Sequence, residues 1–242
     1  MLGEVDRTHI LQGKDALTQP KEDGSLRNPA TVNRYIASLS HVFTVAIEEW
    51  GWIEHNPCER VKKLKESRGR DRYLNDEERE RLLKACKEDH NEYLYPAVVL
   101  AIATGARRSE LLDLQTRDVD LQTGRITFRD TKNGETRSVY LRGESFEVLK
   151  ELSRDRIGRL FGNESTIRKG FERVREIAQL KDFRWHDLRH TTASYLAMNG
   201  ATITEIAAVL GHKTLAVTKR YSHLSEGHVA DVLEKMNKKV LG

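Results

Sequence analysis

The chain has 242 residues, 38% hydrophobic and 32% charged, with a formal net charge of +4 and a mean hydropathy of −0.62. That length buries an apolar core without cross-links, and the aliphatic content excludes a disordered chain. No apolar run reaches the ~20 residues of a membrane helix, the start MLGEVDRTHILQG lacks the stretches of a signal peptide, and two cysteines cannot build a disulfide framework.

A cytoplasmic protein with no membrane partner is therefore expected. The charge is spread unevenly. Residues 1–59 carry a net −4, residues 60–73 (RVKKLKESRGRDRY) a net +5, and the remaining 169 residues only +3. Such a basic stretch suits a polyanion.

In chain order, Asn28-Pro29 precedes Val32, Tyr35, Ile36, Leu39, Val42, Phe43, Ala46 and Trp50. Their steps of three and four describe one face of a helix of about five turns, stopped by Gly51. Asn56-Pro57 signals a turn. Nothing before Asn28 reads as a further helix of that domain. Residues 60–73 lack apolar periodicity and are expected to form an exposed linker. Asn75 with Glu78 has the form of a capping box, followed by a buried stripe of Leu82, Leu83 and Cys86. The spacing then predicts an apolar helix over Tyr93–Ala103, ending at Thr104-Gly105, and a short one over Ser109–Leu114. Residues 125–128 and 136–141 have strand composition, with Lys-Asn-Gly between them as the turn. Helical patterns return at 165–178, 187–198, 204–210, 214–221 and 226–238, the last with Val229, Val232, Leu233 and Met236 on one face. The expected fold is mainly α with a small antiparallel β-sheet. A helical domain spans residues 1–66, a basic linker 67–73 and an α+β domain 74–242.

Four segments stand out by composition: TGARRSEL (104–111), DTKNGE (130–135), WHDLRHTTASYL (185–196) and LGHKTLAVTKRYSHL (210–224). His186 and His190, four apart on a helix, have the spacing of zinc ligands. Arg189 would place a cation beside that metal, and no third ligand is signposted, so no metal site is expected. TEIAAVL, Gly211 and a second helical stretch also fit a helix-turn-helix, which would make a DNA reader without catalysis. Taken singly, an Arg-Arg pair, a hairpin lysine or a helix tyrosine is ordinary surface or packing.

Their order and spacing together resemble the tyrosine recombinase, or phage integrase, family. RNPATVNRYIASLSHVFTVAIEEWGWIEHNPCERVKK is similar to that family's core-binding domain, so the resemblance covers residues 28–242. It implies a catalytic set of Arg107, Lys132, His186, Arg189, His212 and the nucleophile Tyr221, with Glu110 supporting. His190 reads as structural. The implied reaction is site-specific cleavage and rejoining of DNA through a 3′-phosphotyrosyl link, without metal or cofactor, in integration or excision of a mobile element. A resolvase of Xer type with the same chemistry is the alternative. The implied partners are double-stranded DNA attachment sites and, on them, a homotetramer, with a monomer when free. Arg60, Lys62, Lys63, Lys65, Arg68 and Arg70 are the expected phosphate contacts of the linker. The apolar stripe of the last helix is expected to pack against a neighbouring protomer.

The chemistry fits these residue types. A tyrosine of ordinary pKa near 10 is only ~0.1% ionised at pH 7, a penalty of about 4 kcal/mol that a cationic pocket and a base such as His186 lower. Two arginines donate to the non-bridging oxygens as charge builds, and a lysine protonates the leaving 5′ oxygen.

Overall fold

The computed structural model describes residues 2–67, 70–129, 136–162 and 164–241. They form two compact units, Met1–Arg70 and Asp71–Gly242.

The first unit is built on helices α1 (Arg7–Thr18) and α2 (Pro29–Glu48). Helix α1 was not expected, because its apolar periodicity is thin and Ile10 is its buried residue. Its start is fixed by a capping box in which Asp6 accepts from the His9 backbone N–H at 3.0 Å. In α2, Asn28 accepts from the Ala30 N–H and Pro29 occupies the first turn, where a missing N–H costs nothing. Ile10, Phe43 and Cys58 form the core, with Ile36, Ile53 and Val61 packed on it. Of the expected stripe, Tyr35, Leu39, Val42 and Trp50 stay exposed.

The basic stretch corrects one expectation. Residues 60–66 are not a free linker but are tied to both helices. Lys14 Nζ donates to the Lys62 carbonyl at 2.5 Å. Asn33 accepts from the Leu64 N–H at 2.8 Å and donates to the Leu64 carbonyl at 2.9 Å. The side chains of Arg60, Lys62, Lys63 and Lys65 still face solvent.

The second unit opens with α3 (Asp76–Glu88), capped by Asn75 and Glu78 as the sequence predicts. Helix α4 (Leu94–Thr104) is apolar around its whole circumference and lies at the centre, packed against α3 and three later helices. Helix α5 (Arg108–Leu112) follows, then the antiparallel strands β1 (Val119–Asp120), β2 (Arg125–Phe128) and β3 (Arg137–Tyr140) in the order β1-β2-β3. Ile126 pairs with Val139, and Phe128 with Arg137. The expected Lys-Asn-Gly turn lies outside the described residues. Helices α6 (Glu144–Ser153), which the sequence did not signal, α7 (Glu164–Ile177) and α8 (Trp185–Met198) complete the main core.

The C-terminal part holds α9 (Ile203–Leu210), α10 (Leu215–Thr218), a 3₁₀ segment over Lys219–Ser225 and α11 (Glu226–Val240). The single helix expected over 214–221 is thus one α turn followed by tighter winding. Tyr221 is turned inward, into a small core with Ala193, Ala197, Ile206 and Leu210. With a second element of one turn, the helix-turn-helix reading loses its recognition helix. On α11, Leu233 and Met236 are exposed, so this part of its stripe is not covered by the chain itself. Among the described residues no helix is long and apolar enough to cross a membrane.

Candidate active site

Two chain reversals and one helix bring the motif residues together. The first is at the end of α4, where Gly105 adopts a left-handed conformation (φ 60°) and its N–H bonds the Ala101 carbonyl at 2.9 Å. A Cβ there would lie 2.3 Å from Leu210 Cδ2, so only glycine fits. The turn delivers Arg107 to the start of α5.

Glu110, one turn into α5, accepts from the Arg107 N–H at 3.0 Å and from the Arg107 guanidinium. Its second cation is Arg137 on β3, whose Nη2 donates to it at 3.0 Å. Burial pushes the Glu110 carboxyl up, but the hydrogen bonds from Arg107 and the charge of Arg137 outweigh it and hold it below the usual carboxylate range. Arg137 is buried over the Phe128 ring, 4.3 Å from its centroid. The sequence analysis missed it. Strand alternation carried the signal, since Arg137 shares a face with buried Val139.

Helix α8 supplies the second group. His186, Arg189 and His190 lie on one face at spacings of three and four. The helix is anchored by Thr191, whose Oγ1 accepts from the Leu74 N–H at 3.0 Å, and by Thr192, which donates to the Ile102 carbonyl at 2.7 Å. Arg189 is buried and donates to the Gly105 carbonyl at 2.8 Å. Burial and the charge of Arg107 push its pKa down to about 10, which leaves it charged at neutral pH. Arg189 Nη2 and Arg137 Nε and Nη1 are buried with no hydrogen-bond partner among the described residues. Orphaned donors of this kind cost roughly 1–3 kcal/mol each, and an anion's oxygens satisfy them.

The second reversal is Gly211 (φ 67°), where a Cβ would meet Arg137 Cδ at 2.7 Å. It places His212, whose Nδ1 shares a 2.8 Å hydrogen bond with the buried Thr218 hydroxyl. Burial and the Arg189 charge push the His212 pKa down to about 4. His186 faces solvent, yet desolvation by its surroundings and then Arg189 disfavour its imidazolium too.

Tyr221 is 4% exposed. Its hydroxyl meets His190 Nδ1 at 2.5 Å, and the His190 ring stands edge-on to His186 with centroids 5.3 Å apart. Burial raises the phenol pKa, while Arg220 and Arg189 pull against it. His190, read from the sequence as structural, is thus placed against the Tyr221 hydroxyl. The sequence could not have told it from a core histidine, because Tyr221 lies 31 residues away. Among the described residues no three His, Cys, Asp or Glu side chains converge as metal ligands. Arg107, Glu110, His186, Arg189, His212 and Tyr221 come together; Lys132 and Arg68 lie outside the described residues. Arg70 is half-buried.

With this geometry in place, the comparisons with known proteins are decisive. The model of the phage integrase family matches residues 72–228. The chain belongs to that family. It is 34% identical over 209 residues to a shufflon-specific DNA recombinase of Escherichia coli, covering 84% of this chain and 53% of that protein. It is 30% identical over 232 residues to the tyrosine recombinase XerC of Thermodesulfovibrio yellowstonii, covering 86% of this chain and 76% of that one. The catalytic domain of bacteriophage HP1 integrase superposes with a TM-score of 0.60 at 31% identity, over 70% of this chain and 98% of that domain. The chain spans between 53% and 61% of the length of three recombinase and integrase relatives.

Proposed function

We propose that this phage integrase family member is a site-specific DNA recombinase. It cleaves and rejoins strands through a covalent link between Tyr221 and a 3′ phosphate, and it serves integration or excision of a mobile element. The observation that carries this reading is the Tyr221 hydroxyl held 2.5 Å from His190 Nδ1, next in sequence to buried Arg189, whose charge acts on the phenol together with that of Arg220.

Tyr221 attacks the scissile phosphorus and gives its phenolic proton to a neutral histidine of α8, the phosphotyrosyl bond forms and the bond to the 5′ oxygen breaks, which conserves the energy needed for rejoining. Arg107 and Arg189 bind the non-bridging oxygens. Glu110 holds Arg107 in place, and the Gly105 carbonyl holds Arg189. Deleting one well-aimed donor of this type typically costs about 10²–10³ in rate. His212, kept neutral, supplies a further hydrogen bond. Lys132 is the proposed general acid for the leaving 5′ oxygen.

Double-stranded DNA carrying an attachment site is the proposed substrate, with a homotetramer as the active assembly. The exposed Arg60, Lys62, Lys63 and Lys65 contribute phosphate contacts and salt-dependent affinity, and Arg68 and Arg70 belong to the same proposed set. The described cationic set matches a phosphodiester without a metal ligand.

A nicked duplex carrying the attachment site, incubated with protein and EDTA, tests the reading. A denaturant-resistant protein–DNA adduct is expected from the native chain and none from Tyr221→Phe, which still binds the DNA. An adduct that survives Tyr221→Phe would remove Tyr221 as nucleophile, and dependence on a divalent cation would point to a hydrolase.

A further inference from the structure

We infer that His190 is a positioning residue that aims the Tyr221 hydroxyl at the scissile phosphorus, an inference that rests on Tyr221 being the nucleophile. The two side chains meet through the reacting oxygen at 2.5 Å. For His190 Nδ1 to accept, the imidazole must be neutral with its proton on Nε2, and the phenol then donates. With its O–H directed at Nδ1, the oxygen's lone pairs point away from His190.

The surroundings fix that arrangement. Facing His190 are His186 and Asp187 from its own helix, Arg220 and Tyr221 from the 3₁₀ segment, and Asp71. Burial, then His186, push the His190 pKa down to about 4. Near neutral pH the imidazole is therefore uncharged, as an accepting Nδ1 requires. His186, the base expected from the sequence, touches the His190 ring edge-on and has no hydrogen bond to Tyr221. Its side chain is exposed to solvent.

A bond that merely parked the tyrosine would hold it away from the cations. Here the charges of Arg220 and Arg189 already act on the hydroxyl, so the bond holds it in their field. A phenol that loses this partner is a buried, unsatisfied hydroxyl free to rotate.

The test compares three substitutions on the nicked duplex, scoring the rate of adduct formation at saturating DNA and the DNA affinity separately. His190→Asn places an amide oxygen near the position of Nδ1 and keeps the acceptor. His190→Gln is also polar but reaches past that position toward Nε2, and His190→Leu removes the acceptor. Adduct formation is expected to slow by about tenfold or more in Leu and Gln and to recover to within about threefold of the native rate in Asn, with DNA affinity within about twofold throughout. Equal rates for Asn and Gln would overturn the positioning role, and so would a Leu variant as fast as or faster than the native chain. The Asn–Gln comparison keeps its force if Leu does not fold. If the native chain itself forms no adduct, the nucleophile reading falls and takes this role with it. An adduct with Asn and Gln alike removes only His190.

Discussion

Glu110 is the residue on which the site's electrostatics turn. One buried carboxylate serves the Arg107 backbone, the Arg107 guanidinium and Arg137, so a single anion offsets two of the arginines that crowd the site. Arg137 is the more exposed to loss, because its remaining nitrogens have no partner among the described residues. Breaking a buried pair by removing one side typically costs 3–5 kcal/mol, and here the relief of unsatisfied donors offsets part of that. Arg137→Ala should therefore lower the unfolding free energy by about 2–4 kcal/mol in a denaturant titration. A loss below about 1 kcal/mol would mean that Arg107 alone satisfies Glu110.

Elements position these residues through their ends. Helix α4 carries no chemistry, yet its left-handed stop at Gly105 sends the chain to Arg107 and gives Arg189 a carbonyl to bind. Gly105→Ala adds the left-handed penalty to an overlap with Leu210 Cδ2 at 2.3 Å. A loss of about 2–4 kcal/mol is expected by thermal melting, partly recovered by a second change, Leu210→Ala. Recovery by that second change is the diagnostic result; its absence would place the strain elsewhere. The strap at 60–66 illustrates the same dependence on element ends. Asn33 holds Leu64 from both sides, a pairing across 31 residues, and no local pattern in a run of lysines signals it.

For the whole molecule, the site makes stability depend on pH. His190 and His212 are both shifted from 6.5 to about 4, by burial first and then by His186 and Arg189 respectively. Below pH ~6.5 the unfolded chain takes up protons on these histidines that the native chain refuses until about pH 4. The unfolded state thus binds more protons in that window, and stability falls as the pH drops through it. Above ~6.5 their contribution is complete. Carboxylates held low, such as Glu110 and Asp89, lose theirs only at more acidic pH. The melting temperature of the native chain should fall between pH 6.5 and 4.5, and less steeply in a double His190→Asn, His212→Asn variant. Parallel curves for the two proteins would show that these histidines are not the source.

The sequence alone determined most of the elements, because apolar steps of three and four, the Asn75–Glu78 cap and the Gly105 and Gly211 stops are local signals. It also determined the family, through the order of four short segments. It missed α1 and α6, whose stability comes from packing rather than from strong periodicity, and it ran α10 and the 3₁₀ segment together into one helix. What only the tertiary structure decided is who touches whom. The pairing of Arg137 with Glu110 spans 27 residues and that of His190 with Tyr221 spans 31. Spacing along a chain reports the face of an element. The partner of a buried polar group is chosen by how elements pack, since each such group must find a donor or acceptor wherever the fold supplies one.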